Sequence, residues 1–201
     1  SHNNMIRKIV ISTGVVTTLA GSGSAGSTNA TGTSASFNYP RGITTDGSNL
    51  YVADSNNHKI RKIVISTGVV TTLAGSGTAG FADGTGTAAK FYSPYGITTD
   101  GKNLYVGDAT NHKIRKIVIS TGVVTTLAGS SSGFWDGAGT AASFNNPFGI
   151  TIDGTNLYVA DYSNHKIRKI ALTGTLTADV ALHNLDDDTD ATVSLASSDT
   201  G

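Results

Sequence analysis

The chain has 201 residues, enough for one domain with its own core, and a lopsided composition: 25 glycines, 3 prolines, no cysteine and no glutamate, so that all 14 acids are aspartate. Disulfides and thiolate chemistry are thereby excluded, and no apolar run of about 18 residues exists to cross a membrane as a helix. The formal charge is zero, yet all 14 Lys and Arg precede residue 170 and face 8 aspartates up to residue 174, a net +6, while the tail beyond holds 6 aspartates and no base. Such a shift marks a boundary, with residues 1–174 on one side and 175–201 on the other.

One stretch recurs. Residues 3–22, 57–76 and 111–130 are almost identical, and residues 164–174 repeat the first half once more. The Ile that precedes Arg-Lys falls at Ile6, Ile60, Ile114 and Ile167, in steps of 54, 54 and 53 residues, a period that means a repeat architecture. Ser1 stands one period from Ser55 and Asn3 from Asn57. This register leads us to expect a piece cut from a longer array in mid-repeat.

Within one unit, residues 42–45 predict a first strand and Asp46-Gly47 a turn, because Gly takes positive φ without steric cost. Residues 50–53 predict a second strand, 59–65 a third and 69–73 a fourth, with Ser66-Thr67-Gly68 turning the chain between the last two. A long Gly/Thr/Ala-rich connection, 75–94, leads to the next copy. Ile60 and Ile63 are an odd number of residues apart, so a regular strand would point them to opposite faces. Either both faces are buried or a bulge intervenes.

Four short strands per period of this length describe a β-propeller blade, which cannot bury both of its faces alone. The expected fold is all-β: four-stranded antiparallel blades, about 3.5 of them, forming a fragment of a larger ring. Residues 6–20 supply a half-blade, 42–74 and 96–128 two whole blades, and a last blade reaches its third strand by Leu172, with 174–182 available as its outer strand. The motifs Pro40-Arg41-Gly42-Ile43, Leu50 to Asp54 and Asn57-His58-Lys59 resemble the NHL repeat, named for Asn-His-Leu, with Lys59 in the Leu place. The same pattern stands at Pro94 to Ile97 with Asp108 and Asn111-His112-Lys113, and at Pro147 to Ile150 with Asp161 and Asn164-His165-Lys166. The resemblance implies a ring of about six blades, so that this piece is an open arc, part of a larger ring, or half of a dimeric one. The tail alternates like strands and resembles the opening of a bacterial immunoglobulin-like or Calx-β-like module.

His58, His112 and His165 recur at one repeat position, about a blade apart, too far to share a metal bound at roughly 2.0–2.2 Å from each ligand. They read as structural, bonded to nearby backbone or to the Asp four residues before. Asp54, Asp108 and Asp161 close the second strand and read as acceptors for the backbone two residues on. Asp186, Asp188 and Asp190 alternate like a calcium loop but lack its Gly and its terminal Glu, which leaves a weak calcium candidate and no other metal site. No cofactor motif is present.

Where repeats agree so closely, their differences stand out. The residue between Pro and Gly is Arg41, Tyr95 and Phe148 in turn, and the long connections differ at Phe81 and Trp135. The resemblance puts the Pro-x-Gly position near the mouth of the central channel. These five are the candidate binding residues, since loops on a rigid scaffold are where recognition sits. The expected function is a non-catalytic scaffold that binds a protein or glycan on its loop face, at the cell surface or outside the cell, with self-association a way to complete the ring. A propeller lyase or hydrolase, with active-site residues in missing blades, is the alternative. The Lys-Ile-Arg-Lys segments (59–62, 113–116 and 166–169) suggest a basic stripe for RNA, although +6 and no evident stacking platform argue against nucleic acid.

Overall fold

The computed structural model describes residues 3–172. The tail, with Asp186, Asp188, Asp190 and the predicted immunoglobulin-like stretch, lies outside the described residues. All named strands fall into antiparallel sheets joined by short turns.

The first sheet has two strands, β1 (Ile6–Ile9) and β2 (Val16–Ala20). The second is a meander of β3 (Pro40–Thr45), β4 (Asn49–Asp54), β5 (Lys59–Val64) and β6 (Val70–Ala74). In the third, β7 (Gly84–Thr85) comes first in the chain but pairs at the outer edge. Its meander is β8 (Pro94–Thr99), β9 (Asn103–Asp108), β10 (Lys113–Val118) and β11 (Val123–Ala128). The last sheet holds β12 (Pro147–Ile152), β13 (Asn156–Asp161) and β14 (Lys166–Ala171). Among the described residues a half-blade, two whole blades and a blade of three strands are thus present, as the repeat register predicts.

Local chemistry explains each hairpin. At the first turn Gly47 sits at φ +92°, and Asp46 Oδ1 accepts the N–H groups of Ser48 (2.9 Å) and Asn49 (2.7 Å). Between β5 and β6, Gly68 at φ +69° returns its N–H to Val64 O at 2.8 Å.

Of the two expected causes of the odd spacing of Ile60 and Ile63, burial on both faces is the one at work. β5 pairs with β4 residue for residue and is covered on both sides, whereas the bulge at the β5–β6 register shift puts its extra residue, Leu73, in β6. Ile60, Tyr51 and Ala74 pack toward the third sheet with Phe91, Ile97 and Leu104. Ile63, Val52 and Val70 pack toward the first, with Ile6, Ala20 and Phe37. The core is therefore a series of layers between sheets, with one buried phenylalanine at each joint: Phe37, Phe91 and Phe144, none more than 1% exposed.

The innermost strands β3, β8 and β12 run side by side across successive sheets. They come so close that a Cβ on Gly42 would drive into the carbonyl oxygen of Tyr95, and one on Gly96 into that of Phe148. Glycine stands in Pro-x-Gly for this approach, not for its φ, which is not positive at either position. In each meander the start of the first strand, the link after the second and the end of the fourth share one end of the sheet, as the pairings Pro40–Asp54–Lys59 and Ile60–Ala74 show. The long connections leave from that end, and every sequence-selected position within the described residues belongs to it.

Candidate functional site

Asp54, Asp108 and Asp161 are fully buried, and each is the centre of a lock. Asp54 Oδ2 accepts from Asn57 Nδ2 and from the Arg61 guanidinium, both at 2.8 Å, while Oδ1 accepts the N–H of Asn38, also at 2.8 Å. Asp108 repeats this with Asn111, Arg115 and Tyr92 N, and Asp161 with Asn164, Arg168 and Asn145 N. The partners differ from the expected backbone two residues on: the carboxylate turns to the arginine, the asparagine and a distant N–H, because a buried cation offers far more than a turn N–H. Burial pushes the Asp54 and Asp108 carboxyls up, against the pull of the asparagine, the backbone N–H and the arginine.

The arginines are the residues that sequence reasoning missed. Arg61 and Arg115 are 0% exposed and lie over Phe37 and Phe91 at 5.2 and 5.1 Å from the ring centroids. Their second nitrogens reach the preceding connection: Arg61 bonds Thr28 O and Asn29, Arg115 bonds Ala82 O and Asp83, and Arg168 bonds Trp135 O and Asp136. The basic stripe is corrected accordingly: its three arginines are tied into the fold. The signal was there, since Asp, Asn and Arg recur at i, i+3 and i+7 in three copies, at Asp54, Asp108 and Asp161.

His58 and His112 close the links after β4 and β9 in the left-handed conformation, at φ +54° and +57°. His58 Nδ1 accepts the N–H of Ser93 at 3.1 Å, and His112 Nδ1 that of Asn146 at 3.2 Å. Both bonds cross to the following sheet, so the expected backbone contact is present but not a local one. In the first copy Asn4 takes the same place, with φ +49°, and its Oδ1 accepts Tyr39 N at 2.9 Å. Burial pushes both imidazoles below their ordinary value. His165 has the same backbone, at φ +54°. No group of three or more His or Asp placed to hold a metal exists among the described residues.

The Pro-x-Gly residues meet. The Arg41 guanidinium lies 4.4 Å over the Tyr95 ring and donates to its hydroxyl at 2.5 Å. Tyr95 stacks on Phe148 with centroids 4.2 Å apart and planes 9° apart. Phe148 stacks in turn on Tyr162, at 4.6 Å and 16°. Four side chains from three sheets form one ladder beside a crevice of about 690 Å³, whose lining includes Arg41, Tyr95, Phe148 and Ile97. Tyr162, 61% exposed, ends the ladder; its counterparts Ser55 and Ala109 are small and buried, Ser55 bonding to Pro94 O.

Phe81 and Trp135 are not part of the ladder. They lie on the connections, 50% and 67% exposed; Phe81 stands under Lys113 and Arg115, and Trp135 stacks on Phe134.

Meanders packed face to face with their first strands along a common inner edge define an open, partial β-propeller. One of its repeats matches the family model for the NHL repeat, over residues 37–63, and the same lock and histidine recur one period later. The chain is 38% identical over 136 residues to NHL repeat-containing protein 2 of Homo sapiens, covering 61% of this chain and 19% of that protein. This chain therefore spans about a fifth of that curated relative's length. Among solved structures it resembles a protein of unknown function from Bacteroides thetaiotaomicron (TM-score 0.70, 27% identity, 85% of this chain and 43% of the other). It also resembles an auxiliary nutrient binding protein from Bacteroides ovatus (TM-score 0.67, 25% identity, 85% and 43%).

Proposed function

We propose that this propeller segment is a non-catalytic binding scaffold whose ligand, a protein or a glycan, seats at the inner mouth of the loop face, in a surface or extracellular setting. The observation that carries this is the ladder Arg41–Tyr95–Phe148–Tyr162 beside the crevice. Its members vary between repeats that otherwise agree, yet they touch one another, so they form one continuous surface. Stacking holds the rings in place before any ligand arrives, which lowers the ordering cost of binding. Arg41 is exposed and, among the described residues, makes one hydrogen bond, leaving N–H donors for a carboxylate or a sugar hydroxyl. The nutrient-binding description of a structural relative supports a binding role.

The test is a screen of the immobilised chain against soluble neutral and acidic oligosaccharides, with a proteome-derived peptide library in parallel. Any hit is then measured with Arg41→Ala and with the double variant Tyr95→Ser/Phe148→Ser, each checked for native circular dichroism. We expect the affinity of a hit to fall about tenfold or more, the size of losing one buried anchor. Hits that bind these variants as well as the parent would move the site elsewhere.

A further inference from the structure

The joints between sheets contain a titratable acceptor. We propose that the two joints made by His58 and His112 are acid-sensitive clasps, whereas the joint made by Asn4 is not, so that acid loosens the arc at defined places. The inference stands whether or not the mouth binds a ligand.

In each joint a side chain accepts a backbone N–H from the next sheet: Asn4 from Tyr39, His58 from Ser93, His112 from Asn146. A neutral imidazole has one donor and one acceptor nitrogen, so the bond to Nδ1 requires the proton on Nε2. When the ring gains a second proton, Nδ1 becomes a donor aimed at another donor, and the half-buried N–H of Ser93 or Asn146 loses its acceptor. The released residues sit at φ +51° and +53°, a region L side chains other than Asn and Asp seldom visit. They directly precede Pro94-Tyr95 and Pro147-Phe148, so the clasp sets the start of two inner strands.

The surroundings fix the sign. His58 is flanked by Lys59 on its own strand and, from the next sheet, by the Tyr92 ring edge-on at 5.5 Å; Asp108 there accepts Tyr92 N at 2.8 Å. His112 is flanked by Lys113 and, from the next sheet, by Asp161, which accepts Asn145 N at 2.7 Å. Burial, joined at His112 by Lys113, disfavours the imidazolium; Asp161 and, at His58, the Ser55 backbone act the other way without reversing it. A folded-state value below the unfolded one means that the joints contribute fully above about pH 6.5 and weaken as pH falls through the folded value.

The experiment uses the 201-residue chain. Imidazole ¹⁵N shifts are followed together with amide exchange at Tyr39, Ser93 and Asn146, corrected for intrinsic rate, from about pH 7.5 to about pH 5. We expect an unprotonated Nδ1 in both rings at the upper pH. Protection at Ser93 and Asn146 should fall about fivefold or more across the range, while that at Tyr39 holds. His58→Asn, which installs the chain's own Asn4 solution, should make Ser93 indifferent to pH and leave Asn146 responsive. A protonated Nδ1 at the upper pH would overturn the proposal without any variant. So would an equal acid response at Tyr39, or a Ser93 response that survives His58→Asn.

Discussion

A buried arginine that meets a buried carboxylate is costly to orphan. Arg115 is 0% exposed and ties Asp108 to Asp83 and to two backbone carbonyls, Ala82 O and Lys90 O. Replacing it with Met keeps the length but leaves Asp108 uncompensated, and we expect a loss of about 3–5 kcal/mol in urea unfolding. Asp136 touches Arg168 at 2.6 Å, but its side chain is 95% exposed, so Asp136→Asn should change stability by less than about 1 kcal/mol. Equal losses would mean that burial is not what gives these pairs their weight. The glycines allow a second comparison within the chain. Gly96→Ala forces a methyl into the carbonyl of Phe148 and should cost about 1–3 kcal/mol or more. Gly149→Ala meets only Ala160 Cβ at 3.4 Å, an ordinary contact, and should cost less than about 1 kcal/mol.

Turns and joints set how the elements respond to pH and strain. In the β8–β9 turn burial pushes Asp100 up. The side chain and backbone N–H of Asn103, the N–H of Lys102 and the Tyr105 hydroxyl outweigh it and hold Asp100 down to about 2. Burial, followed by the bond to Asp100, takes Tyr105 to about 12. A carboxylate held low contributes stability that is present above its unfolded value of about 3.9 and lost as pH falls through the folded one. The urea midpoint of Asp100→Asn should therefore fall less steeply than that of the parent between about pH 4 and about pH 2. A parallel decline would deny the turn any part in acid sensitivity. At the joints, Ser93 occupies a left-handed position that Asn146 fills one repeat later. Ser93→Asn should raise the thermal midpoint by about 1–2 °C, the equivalent of roughly half a kcal/mol in a chain of this size. A lower midpoint would show that the serine side chain has a use of its own.

At the scale of the molecule, the main contacts between sheets among the described residues join neighbouring sheets, so stability spreads along the arc. The second sheet is covered on both faces by the packing around Phe37 and Phe91, whereas Ile9 and Val16 of the first sheet are 61% and 47% exposed. Their repeat counterparts Ile63 and Val70 are at most 1% exposed. Amide protection in the isolated chain should accordingly be strongest in β4, β5, β9 and β10 and weakest in β1–β2; a uniform profile would contradict nearest-neighbour stability.

Repeat length, strand number and turn positions were legible in the residues alone, because period, alternation and Asp-Gly or Thr-Gly turns act over a few neighbours. So was the choice of Arg41, Tyr95 and Phe148, since they break a pattern that the rest of the repeat keeps. What they do was not legible: three residues a period apart become one stack only when sheets pack with their inner strands almost in backbone contact. Nor did the sequence set Phe81 and Trp135 apart from that stack, although the tertiary structure leaves them on the outer connections. The arginines looked like surface charge, for a cation's burial depends on whether a distant carboxylate and the preceding connection reach it. The histidines looked local because their partner lies 35 residues away at Ser93 and 34 away at Asn146. Short-range chemistry wrote the blade, and packing between blades decided which side chains meet.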